Sequence, residues 1–60
     1  MSLYPEDMLE ALLKKIEAGE LPEKPADVVR FIKKRQDAGK PISEIQAQLL
    51  EDLGREHGMW

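Results

Sequence analysis

Apolar residues recur along this chain in three blocks, each with the spacing of one helix side and each closed by glycine or proline. In the first block Met8, Leu9, Leu12, Leu13 and Ile16 follow one another at alternating steps of one and three, so a period of 3.6 residues gathers them on one side. Pro5, Glu6 and Asp7 precede them. Proline's fixed φ suits the first helical position, and acids there favour the positive end of the helix dipole. Gly19 offers the left-handed residue that commonly ends a helix. The pattern predicts a first helix over residues 5–18, with Glu10 and Lys14 spaced to pair at i,i+4 on its polar side.

Leu21 to Pro25 holds two prolines and no periodicity, which predicts a stiff connector. Pro25 is then expected to open a second helix over 25–38, with Val28, Phe31 and Ile32 inward, Val29 flanking them and Gly39 closing it. Arg30, Lys33 and Lys34 fall on its outer side. Arg35 falls inside the apolar arc, where its stem can pack while its charge reaches water near the helix C-terminus.

Ser43 with Gln46 three positions later is the capping-box pattern, in which each side chain satisfies a backbone N–H beside the other residue. Ile42 is placed to staple onto the first turn. A third helix over 43–56 is predicted, with Ile45, Leu49 and Leu53 inward and Leu50 at the edge, ending at Gly54 or running on towards Gly58. Met59 and Trp60 follow as an apolar tail. The expected fold is all-α, a compact three-helix bundle in which residues 1–60 form one domain. Leu13-Lys14-Lys15 followed by Ala18-Gly19 is echoed by Ile32-Lys33-Lys34 followed by Ala38-Gly39. Convergence of helix endings on the same residue types accounts for that echo better than duplication does.

Sixty residues leave room for one small core, because a chain this short buries only about 60% of the surface it exposes when unfolded. Cysteine is absent, so no disulfide supplements that core. No apolar run approaches the roughly 20 residues a membrane span needs, and Met1 to Asp7 lacks the basic and apolar regions of a signal peptide. These absences lead to the expectation of a cytoplasmic protein without membrane contact. The net charge of −3 is uneven. Residues 24–40 carry six bases against two acids, whereas the segments on either side are acidic.

Chemistry is sparse. Ser2 and Ser43 are the only serines, neither is paired with a general base by spacing, and Ser43 already has a capping role. His57 has no second histidine or carboxylate at i−4 or i+3 with which to clamp a metal. Glu51 and Asp52 are adjacent, which on a helix turns them about 100° apart, too divergent for an acid and base flanking a substrate. The four glycines are dispersed rather than clustered in a phosphate-binding loop. No catalytic residue, cofactor or metal is therefore expected.

The functional expectation is a non-enzymatic interaction module, binding another protein or itself, with Arg30, Lys33, Lys34 and Trp60 as candidate contacts. Clustered cations suit an acidic partner, and aromatic residues are enriched in interface cores. An engineered scaffold is a related reading: regular caps, consistent patterning and absence of cysteine suit a design, while the Gly19–Pro25 connector and the placement of Arg35 and Gln46 are less idealised. The alternative is a small DNA-binding protein with a helix-turn-helix-like arrangement, using the basic second helix or residues 44–54 as the contact. Against it, Glu44, Glu51 and Asp52 would face phosphates. Asp27 to Lys34, with Gly39 and Ser43-Glu44-Ile45, loosely resembles the helical hairpin that follows the wing in MerR-type regulators. The resemblance covers under half the chain. The DNA-reading helices and wing of that family have no counterpart in residues 1–26, so DNA binding is not carried over.

Overall fold

The computed structural model describes residues 4–60 and places three helices in contact with one another. Helix α1 spans Pro5–Glu17, α2 spans Glu23–Asp37 and α3 spans Glu44–Glu56. The architecture is the expected three-helix bundle, and no strand occurs among the described residues.

All three helices end in the same hydrogen-bonded motif. The Glu20, Lys40 and Met59 N–H groups donate to the Lys15, Arg35 and Gly54 carbonyls, and the Gly19, Gly39 and Gly58 N–H groups donate to Ile16, Gln36 and Arg55. These paired bonds are the Schellman closure, which satisfies carbonyls left over at a helix end. Gly58 gives α3 an ending that Gly54 was an equal candidate to supply. Its φ of +69° is a conformation that costs a side-chain-bearing residue, and it turns the chain back on the helix.

The starts differ more. Ser43 forms the predicted capping box, its Oγ accepting from the Gln46 N–H at 3.1 Å while the Ser43 N–H donates to Gln46 Oε1 at 3.0 Å. Helix α2 begins at Glu23, two residues before the expected start, with Pro22 as its N-cap. Pro25 thus sits in the third helical position. It is tolerated there because N–H groups of the first turn have no intrahelical acceptor to lose.

The core consists of Met8, Leu9 and Leu12 from α1, Ala26, Val29 and Ile32 from α2, and Leu50 from α3. Leu13, Ile16, Leu21, Ile42, Leu53, Met59 and Trp60 pack around it, half-buried. For α1 this is the expected inward side. For the other two helices the buried line is rotated from the one expected. Val29, assigned to the flank, is fully buried, while Val28 and Phe31 are exposed; Leu50, assigned to the edge, is fully buried, while Ile45 and Leu49 are exposed. Each of these helices carries an apolar arc wider than its two neighbours can cover, and the neighbours occupy only one half of it.

Candidate functional site

The expected cationic surface is only partly assembled. Arg30 lies 3.5 Å from Asp27 and Lys33 lies 2.9 Å from Asp37, both within α2. Lys33 is half-buried and shares a shallow depression with Glu6, Leu9, Glu10 and Leu13 of α1 and with Gln36. Lys34 is exposed and has no ion pair among the described residues. Lys15–Glu20 and Glu51–Arg55 are the other ion pairs among the described residues, where every pair joins residues close in sequence and none bridges two helices. The predicted Glu10–Lys14 pair is not among them. Among the described residues the alternating charge of the three segments therefore does not act through interhelix salt bridges.

Trp60 stands apart from those cations. Its indole Nε1–H donates to the Glu51 carbonyl at 3.0 Å, and its ring lies directly on Gly54. A Cβ built at Gly54 would fall inside the indole, on Cζ2, Cε2 and Cη2. Gly54 is buried in the last turn of α3, so it serves as the seat of the tryptophan rather than as a helix stop. The left-handed Gly58 swings Met59 and Trp60 back onto this seat. Trp60 thus has an intramolecular role, covering the side of α3 that would otherwise expose backbone.

Arg35 is half-buried as its place in the arc suggested, but part of its charged group is buried rather than reaching water. Its guanidinium carbon lies 5.8 Å from the centre of the Phe31 ring, a cation–π approach one turn along α2, while its Nε is buried without a hydrogen-bond partner. The outward polar residues of α3 also bond to each other, with Gln48 donating to Asp52 at 3.0 Å and Arg55 to Glu51 at 2.8 Å. Ser43 is occupied as a cap. Ser2, the other serine considered as a nucleophile, lies outside the described residues. Among the described residues no three histidine or acidic side chains converge on a point where a metal ion could sit, and no helix is long and apolar enough to cross a membrane.

The feature that sequence patterning missed is apolar and exposed. On α2 Phe31 is 56% and Val28 38% exposed, and on α3 Ile45 is 75% and Leu49 44% exposed. Scattered single apolar residues on a surface need no explanation, but each of these two helices exposes two large ones about a turn apart. The signal was present in the sequence as the excess width of the apolar arcs in residues 28–32 and 45–53, which a search for one inward side per helix consumed entirely. No family model, curated protein or solved structure matches this chain.

Proposed function

We propose that this chain is a non-enzymatic helical interaction module that docks another protein chain on the outer side of α2 and α3. The observation that carries this reading is the exposure of Val28, Phe31, Ile45 and Leu49 beside a core that is complete without them. Fully burying a large apolar side chain is worth about 1.5–3 kcal/mol, so leaving Phe31 and Ile45 mostly, and Val28 and Leu49 partly, in water forgoes a share of that stabilisation which a partner would recover. Arg35 stacked on Phe31 supplies the kind of aromatic and arginine pairing found at interface centres.

Selection of a displayed peptide library against the folded chain tests this. Peptides should enrich whose binding is lost on Phe31→Glu and separately on Ile45→Glu, both at exposed positions where the helical circular dichroism signal should persist. Enrichment that ignores both substitutions, or no enrichment at all, would count against the reading.

A further inference from the structure

Helix α2 carries its exposed apolar residues between two cations. Lys24, Val28, Phe31 and Arg35 stand at i, i+4, i+7 and i+11, which at about 100° per residue holds all four within about 60° of one another. The same geometry puts them roughly 130° round the helix from the buried line of Ala26, Val29 and Ile32. Lys24 is exposed and Arg35 half-buried, so a base stands at each end of the Val28 and Phe31 pair. All of this belongs to a single helix.

Local pairing sharpens the charge of this stripe. Asp27 lies 3.5 Å from Arg30 and Asp37 lies 2.9 Å from Lys33, which leaves Glu23, at the first helical position, as the remaining acid of α2. Lys24, Lys34 and Arg35 take part in no ion pair among the described residues. The exposed side of α2 therefore offers a surplus of unpaired positive charge beside Phe31. Arg35 is held there by its approach to the ring, 5.8 Å from guanidinium carbon to ring centre. A guanidinium already ordered over an aromatic ring loses little further freedom when a carboxylate meets it.

The stripe of α3 has the opposite sign, since Ile45 and Leu49 lead into Asp52 and Glu56 at the same intervals. An acidic segment suited to α2 is repelled there, so the two stripes do not select the same occupant. The form of the occupant is restricted as well. The backbone of α2 is hydrogen-bonded within the helix and offers no edge for an extended strand to pair with. A segment lying along it must satisfy its own N–H and C=O groups, as a helix does. From Lys24 to Arg35 the rise is about 16 Å, and a helix lying nearly along α2 meets both cations when its acids stand eleven residues apart with apolar residues between them. An anionic membrane fits less well, because Glu23 and Asp27 fall beside the apolar pair and would face the headgroups.

We propose that α2 binds an acidic amphipathic helix of a partner protein along Lys24, Val28, Phe31 and Arg35. This rests on the interaction-module reading and adds to it the charge and form of the partner. The cations concerned are not Arg30 and Lys33, which are engaged by acids of their own helix.

The test selects, on the full chain, a displayed library of helical peptides about 16 residues long, with apolar residues fixed at i+4 and i+7 and positions i and i+11 drawn from Glu, Lys and Gln. Binders lost on Phe31→Glu, at unchanged helical circular dichroism, should carry Glu at both variable positions. In fluorescence anisotropy the leading peptide should lose at least about tenfold in affinity for Lys24→Glu/Arg35→Glu, and its lysine counterpart should recover that loss on the reversed protein. Phe31-dependent binders that carry Lys, or that show no charge preference, overturn the acidic partner. Peptides selected through Ile45 and indifferent to Phe31→Glu overturn the α2 seat while leaving the interaction module intact, and a library that yields no binders overturns both. Phe31-dependent pelleting of the chain with phosphatidylserine vesicles, without peptide selection, overturns the protein partner in favour of a membrane.

Discussion

Gly54 and Trp60 show at the scale of single residues how opposing effects are weighed. Within a helix, alanine is favoured over glycine by about 1 kcal/mol, so propensity alone makes Gly54→Ala stabilising. The indole resting on Gly54 reverses that sign, because the new methyl group and the ring would claim the same space. Overpacking of this kind typically costs 1–3 kcal/mol, and here it would be relieved by expelling the tryptophan. Gly54→Ala is therefore expected to shift Trp60 fluorescence to the red, towards that of a solvated indole, and to lower the urea midpoint. In a Trp60→Ala background the same substitution should become stabilising by about 0.5–1 kcal/mol, which a double-mutant cycle would detect. A fluorescence spectrum unchanged by Gly54→Ala would mean that the ring does not sit on this glycine.

For the helices as elements, the decisive comparison lies between two adjacent valines. Val29 is fully buried between Ala26 and Ile32, while Val28 is 38% exposed. Removing two methyl groups at Val29 leaves a space that packed neighbours fill only in part, so Val29→Ala should cost about 2 kcal/mol. Val28→Ala should stay within about 0.5 kcal/mol, as surface changes generally do. Urea unfolding followed by circular dichroism, at a chain concentration low enough to avoid association, measures both. Equal costs would indicate that α2 is rotated towards the arrangement in which Val28 and Phe31 face inward. The two valines are indistinguishable by residue type and by membership of the apolar arc. Their difference arises from which half of the arc the other two helices cover.

Across the whole molecule, charge is arranged by segment but stabilised locally. Among the described residues the ion pairs all join residues of one helix or its immediate ending, and exposed pairs of this kind contribute about 0–1 kcal/mol each. Changing Arg30, Lys33 and Lys34 together to glutamine should therefore lower stability by no more than about 1 kcal/mol. The same triple variant addresses nucleic-acid binding. With Arg30 and Lys33 paired to acids and Lys33 drawn against α1, the wild-type chain is expected to show no measurable affinity for duplex DNA at about 50 mM salt. Fluorescence anisotropy at two salt concentrations checks this. Binding that weakens steeply with salt and is lost in the triple variant would instead support the DNA-binding alternative.

What could be read from the chain alone is what depends on neighbours a few residues away. The capping box of Ser43 and Gln46, the endings at Gly19 and Gly39, and the three-helix architecture were legible because caps and helix closures join groups within five positions of each other. Pro25 misled by two residues because a proline is acceptable anywhere in a first turn, not only at its first position. What tertiary structure decided was the rotation of α2 and α3 and the fate of the tail. An arc holding Val28, Val29, Phe31 and Ile32, or Ile45, Leu49, Leu50 and Leu53, is wide enough to bury either half, and burial is settled by where the neighbouring helices lie. Likewise, nothing local joins Trp60 to Gly54; the contact exists because the turn at Gly58 brings the ring to the one position on that side of α3 without a side chain.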